Sequence, residues 1–226
     1  MRPARWPVTE AIRHLRRRYG KPSRLPATDP FEMVLWESCA YLVDDERRKR
    51  VYYRLMAKTG GDPERIAGMR TVTLATLIEA DGGMQPRMRA DKLQRAANLA
   101  LDTGQAELAR LCKSDPARAH RVLKRFPGIG EPGADKILMV AGAMRILGLE
   151  SNGLRVLGRL GFGQVSANYS KTYRSASLAA RDELPTSAAA RIEAHQLLRL
   201  HGKTLCKTGG PLCGECPLAA RCPSAM

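Results

Sequence analysis

The chain has no apolar run long enough to cross a bilayer. The longest uncharged stretch of its central apolar segment, Ile137 to Met144, falls far short of the ~20 residues a spanning helix needs. The segment "MRPARWPVTEAIRHLRRRYG" carries charge and lacks the apolar run that a secretory leader requires, and Glu10 with a helical register favours a structural segment over a transit peptide. Sustained two-residue alternation of apolar and polar side chains is absent, which excludes a fold of half-buried strands. Acidic residues are scarce: 22 Asp and Glu face 38 Lys and Arg, giving +16. Cysteines number six, and four of them crowd between 206 and 222. These features lead to the expectation of a cytoplasmic protein. In that reducing setting closely spaced thiols serve a metal rather than disulfides.

What is present points to a folded protein, since 44% of the residues are hydrophobic, and its 226 residues suit one large domain or two small ones. Apolar residues recur at helical spacing in "FEMVLWESCAYLV", "TVTLATLIEA", "KLQRAANLALDT", "AELARLCK", "RAHRVLKRF" and "ADKILMVAGAMRIL", with Gly and Pro between them in "KTGGDP", "GGMQP" and "FPGIGEPG". An all-α fold of many short helices follows. The excess positive charge calls for a polyanion, and without a membrane segment the polyanion is nucleic acid. Basic residues gather in Arg13–Arg24, Arg47–Arg54 and Arg118–Arg125, three runs that together predict a binding surface.

In "RVLKRFPGIGEPGADKILMVAG" a basic helix, a tight turn and an apolar helix follow one another. Gly128 and Gly130 free the turn from side-chain sterics, so that backbone N–H groups can point at a phosphate oxygen beside a helix N-terminus. Taken alone, "PGIG" equally suits an ordinary helix connection, and Glu131 would repel phosphate unless it turns aside. Ile137, Leu138, Val140, Ala141 and Met144 read as buried core. At the C-terminus Cys206, Cys213, Cys216 and Cys222 are separated by six, two and five residues. Four thiolates suit a tetrahedral zinc or an iron-sulfur cube; one close pair flanked by two single cysteines favours the cube. Cys39 and Cys112 sit on apolar faces as core thiols.

The hairpin "FPGIG", the lead-in "LHGKTLC" and the 6-2-5 cysteine spacing together resemble the endonuclease III and adenine-DNA glycosylase branch of the helix-hairpin-helix DNA glycosylases, from about "DPFEMVLWE" to Cys222. The resemblance implies a six-helix barrel over 23–145, with the helix-hairpin-helix at about 117–145. It also implies a second domain, formed by 1–22 with 146–226, that carries a [4Fe-4S] cluster on the four cysteines. It implies a monomer acting at the nucleoid on double-stranded DNA, with the target base flipped into a pocket between the domains.

The same resemblance implies roles for single residues. Glu150, in "GLESNGLRVLGRLG", takes the place of the family's aspartate, one methylene longer; a carboxylate there stabilises positive charge on the sugar and orients water. Without the resemblance, Glu150 reads as a helix N-terminal carboxylate. The lysine of the lyase members is replaced by Pro132, so water is expected to be the nucleophile. Lys136, one turn on, reads better as a phosphate contact or exposed residue than as a substitute amine. Glu37 falls where the adenine glycosylases protonate the departing base, and between Trp36 and apolar neighbours it would keep its proton; pairing with an arginine is the equal alternative. Leu42 falls where a side chain fills the gap left by the base, although leucine at helical spacing is usually core. Asn152 and Arg155 border the pocket or backbone, and His195 and His201 read as packing residues. The chain ends four residues after Cys222, where adenine glycosylases continue into a further domain, so a minimal glycosylase is expected. Two alternatives accompany this reading: a bifunctional glycosylase and lyase using another amine, and a non-catalytic iron-sulfur DNA-binding protein.

Overall fold

The computed structural model describes residues 5–40 and 43–225. Among them are twelve α-helices and no strand, the all-α architecture that the sequence pattern predicts. The chain divides into two compact units, residues 25–143 and the two ends of the chain together, 1–24 with 144–226.

The unit 25–143 holds eight helices: α2 (Pro30–Cys39), α3 (Asp45–Thr59), α4 (Pro63–Gly68), α5 (Thr71–Glu79), α6 (Pro86–Thr103), α7 (Gln105–Ser114), α8 (Pro116–Leu123) and α9 (Glu131–Val140). Helix α2 starts sharply because Asp29 accepts from the Phe31 and Glu32 amides (2.9 and 3.2 Å) and Pro30 pre-sets the first turn. Almost all of its side chains are buried, among them Phe31, Met33, Val34 and Leu35, because α3, α6, α7 and α9 pack around it. Cys39 and Cys112 are core thiols, as expected; burial pushes them up to about 12 and about 11, which leaves them unreactive.

The apolar segment from 134 to 147 is shorter as a helix than its periodicity suggests. Helix α9 stops at Val140 because Gly142, with φ 70°, donates to Met139 O while Ala143 donates to Leu138 O, a Schellman closure. Ala141 and Met144 are therefore half-buried rather than core. Likewise α2 ends at Cys39, before Val43, with Ala40 extended.

The other unit joins α1 (Val8–Tyr19), α10 (Ser151–Arg159), α11 (Tyr169–Arg181), α12 (Ala188–Thr204) and two single-turn 3-10 helices, Cys213–Glu215 and Ala219–Arg221. Helix α12 is its spine, packed on α1 and α10. The α10 approach is close: a Cβ on Gly202 would lie 2.5 Å from the Asn152 carbonyl oxygen, so only glycine fits. Residues from the two ends of the chain meet directly, since Trp6 Nε1 donates to Leu218 O (2.9 Å) and the Arg221 guanidinium lies 4.8 Å from the Trp6 ring centroid.

Gly202→Ala is expected to destabilise the protein by about 2 kcal/mol through this backbone contact. Gly68→Ala, where a Cβ meets nothing within 4 Å, should stabilise it by about 0.5 kcal/mol. Urea titration of the two variants distinguishes the cases.

Candidate functional site

Helices α8 and α9 flank the hairpin. Asp115 starts α8 by accepting from the Arg118 amide (2.9 Å), and Phe126 and Ile129, 1% and 5% exposed, anchor the turn from below. Ile129 N donates to Phe126 O (3.0 Å), and Gly128 takes φ 85°, a conformation that side chains rarely adopt. Around Gly128 a Cβ would meet nothing within 4 Å, so the glycine answers a backbone requirement on an open surface. Gly130 caps α9 with no side-chain hydrogen bond, and Pro132 lies in its first turn.

The three basic runs differ. Arg118, Arg121, Lys124 and Arg125 are exposed beside the hairpin, and no carboxylate among the described residues pairs with them. Most of the 47–54 run is neutralised instead, through Arg47–Asp44 (3.3 Å), Arg48–Glu37 (3.4 Å), Lys49–Glu46 (2.9 Å), Arg50–Asp81 (3.6 Å) and Arg54–Asp81 (2.7 Å). The Arg54 hydrogen bond, aided by its charge and that of Arg50, holds the Asp81 carboxyl below its usual range. In the other unit Arg16 pairs with Glu193 (3.3 Å), while Arg13, Arg17, Arg18 and Lys21 are exposed.

Glu37 and Lys136 meet within the unit 25–143. Lys136 Nζ lies 2.6 Å from Glu37 Oε1, with side chains 10% and 17% exposed, and Arg48 approaches the same oxygen at 3.4 Å. Arg48 also donates to Trp36 O (3.0 Å) and lies over the Trp36 ring at 4.5 Å. Lys136 is thus buried, not at the surface where a phosphate contact was expected, because α9 is buried on all sides from Ala134 to Val140. The neighbouring Asp135 is buried as well and meets His120 Nε2 at 3.1 Å. Two adjacent charges in an otherwise apolar helix were the available signal, since buried charges require partners. Leu42 lies outside the described residues.

In the other unit Glu150 caps α10. Its Oε1 accepts from the Gly153 amide and its Oε2 from Asn152 Nδ2, both at 2.8 Å, and each oxygen keeps lone-pair capacity. Arg155 takes up Asn152 Oδ1 (2.7 Å), Gly202 O (2.7 Å) and Cys206 O (2.9 Å), so a continuous chain of hydrogen bonds runs from the carboxylate to the first cysteine. Tyr169, half exposed at the start of α11, also belongs here: burial and then the Glu150 charge push its phenol up. Nothing in its sequence context marked it.

Cys206, Cys213, Cys216 and Cys222 line one largely apolar cavity, partly open to solvent, with Val156, Leu160, Leu205 and Leu218. Each 3-10 turn ends at a cysteine, Cys216 or Cys222. Nitrogen donors approach the sulfurs: Arg159 Nη1 lies 3.3 Å from Cys206 Sγ, and Leu218 N lies 3.4 Å from Cys216 Sγ. Burial, and then the charges of the neighbouring thiols, raise Cys216 and Cys222, although amide hydrogen bonds oppose the shift. Yet no group of His, Cys, Asp or Glu among the described residues is arranged to hold a single metal ion. One tetrahedral ion draws its sulfurs to ~2.3 Å from a common centre. Four thiols lining one largely apolar cavity are the donor set that an iron-sulfur cube takes.

His201, expected only to pack, lies against this set with Nε2 3.4 Å from Cys216 Sγ and Nδ1 2.9 Å from the Tyr19 hydroxyl. Burial lowers it to about 4. His195 bonds Gly148 O and is a packing residue.

No protein-family model and no curated relative matches the chain. Solved structures do. Endonuclease III trapped in a covalent intermediate with DNA is 20% identical, with a TM-score of 0.74 over 96% of this chain and 95% of that one. A thermostable thymine-DNA glycosylase is 16% identical, with a TM-score of 0.72 over 96% and 94%. The H. pylori 3-methyladenine DNA glycosylase bound to 1,N6-ethenoadenine is 15% identical, with a TM-score of 0.67 over 88% and 99%. At these identities the likeness establishes the fold alone: this chain has the all-α fold of these structures.

Arg155→Ala should lower the free energy of local opening around Gly202–Cys206 by about 2 kcal/mol, the scale of hydrogen bonds to a charged donor. Amide hydrogen exchange over that segment reads the change.

Proposed function

We propose that this chain is a DNA repair glycosylase that extrudes a damaged or mispaired base from double-stranded DNA and hydrolyses its N-glycosidic bond. The observation that carries the reading is the hairpin with four exposed, unneutralised cations around it, set in a fold shared over 96% of the chain with endonuclease III caught on DNA. Bare amides and surrounding cations suit a phosphate whatever the sequence. Residues 25–143 are read as the barrel domain and the remainder as the cluster domain, in a monomer working at the nucleoid in the cytoplasm.

Glu150 takes the catalytic role. Departure of the base builds positive charge on the sugar; the carboxylate opposes it and orients the attacking water, while Asn152 and the Gly153 amide hold the carboxylate in place. Glu37 is the candidate acid for the departing base. Two cations beside a carboxylate stabilise the anion, so proton donation by Glu37 requires Lys136 and Arg48 to be turned aside. Strand cleavage by an amine is not part of this reading, because Pro132 offers none and the Lys136 amine is buried against Glu37. Cys206, Cys213, Cys216 and Cys222 would hold a [4Fe-4S] cluster, whose part is to cross-link the end of the chain.

A second reading, a non-catalytic iron-sulfur DNA-binding protein, is favoured by the engagement of both Glu150 oxygens, one in capping α10 and one with Asn152.

Duplexes carrying a panel of lesions, followed by alkaline cleavage of abasic sites, test the proposal. Base release from at least one lesion is expected, reduced about 100-fold or more in Glu150→Gln with DNA affinity retained. Release from none, with binding indifferent to Glu150→Gln, selects the second reading. Borohydride should trap no adduct on abasic DNA; an adduct lost in Lys136→Ala would instead assign a lyase. Lys124→Glu should weaken binding of undamaged duplex and reduce the dependence of affinity on salt, read by titration at several ionic strengths.

A further inference from the structure

His201 was expected to be a packing residue, and its surroundings give it more to do. The ring is 1% exposed, and each nitrogen has one polar neighbour: Nδ1 faces the Tyr19 hydroxyl at 2.9 Å, and Nε2 faces Cys216 Sγ at 3.4 Å. Tyr19 closes α1, and its hydroxyl also lies 2.9 Å from Thr204 Oγ1, whose own second partner is Leu200 O at 2.9 Å. The rings of Tyr19 and His201 lie 5.9 Å apart, tilted by 58°. A line of polar atoms therefore runs from α12 through Tyr19 and the imidazole to one cysteine sulfur.

The direction of the protons along this line follows from the sulfur. A neutral imidazole has one N–H and one lone pair. Cys216 bound to iron is a thiolate, which can only accept, so Nε2 must carry the proton. Nδ1 is then an acceptor, and its neighbour, the Tyr19 O–H, must donate to it, while the single Thr204 hydroxyl proton goes to Leu200 O. The opposite direction needs an S–H on Cys216, which a metal-bound thiolate lacks.

We infer that His201 donates its Nε2–H to the Cys216 sulfur of the cluster, held in that tautomer by Tyr19, and that this hydrogen bond sets the reduction potential of the cluster. The inference rests on the reading of the four cysteines as a [4Fe-4S] site. An N–H donor at a ligand sulfur stabilises the more negative, reduced cluster and so raises its potential. The Leu218 amide also points at this sulfur but belongs to the main chain; of the two donors only His201 is set by a side chain and removable by substitution.

Tyr19→Phe keeps the ring and removes the hydroxyl, whereas His201→Leu removes the donor. Protein-film voltammetry on iron-loaded full-length protein should give a more negative midpoint potential in Tyr19→Phe and a larger shift in His201→Leu. In ¹⁵N-histidine protein, electron-nuclear double resonance of the reduced cluster should detect a histidine nitrogen and an exchangeable proton, both lost in His201→Leu. Should His201→Leu fail to retain iron, the Tyr19→Phe potential decides. Iron-loaded wild type without the histidine coupling, or variants with unchanged potentials, overturns the inference and leaves the cluster reading intact. Purified wild type free of iron and sulfide removes the cluster reading, and this inference with it.

Discussion

The Arg155 guanidinium is the fixed point of the cysteine-bearing unit. From the middle of α10 it gathers Asn152, the Gly202 carbonyl near the end of α12 and the Cys206 carbonyl. Because Asn152 also holds Glu150, the carboxylate at the start of α10 and the first thiol of the C-terminal set are positioned by one planar group. Planarity matters, since a guanidinium offers donors in fixed directions where an ammonium would not. Gly202 makes this geometry reachable by letting two backbones approach more closely than any side chain permits.

Charge is distributed with similar economy. A net charge of +16 suggests a uniformly positive surface, but the 47–54 segment spends most of its cations on Asp44, Glu46, Asp81 and Glu37. The cations left exposed beside Gly128 stand where the backbone of the hairpin is itself open. A phosphate chain meeting that surface would find main-chain donors and side-chain charge together, which is what sequence-independent gripping requires.

The cysteine set shows how much donor geometry decides. Three kinds of nitrogen face its sulfurs, from Arg159, Leu218 and His201. Thiolates carry negative charge, and such donors offset the cost of placing it in a largely apolar cavity. Trp6 and Arg221 bind the chain's beginning to this same region.

Much of the fold was legible in the residues. Helical periodicity predicted an all-α chain, and Gly128 marked a turn that no other residue adopts easily. Cysteine spacing singled out four thiols that do line one cavity. These features are local: they depend on neighbours along the chain, on propensity, capping and φ. What only the tertiary structure decided was pairing between distant residues. That Lys136 is buried against Glu37, that His201 faces a sulfur and a tyrosine hydroxyl, and that most of the 47–54 charge is neutralised depend on which helices meet, and a one-dimensional pattern holds no record of that. Periodicity says that a face is buried; it does not say against what, and the chemistry of a buried charge or imidazole is set by its partner.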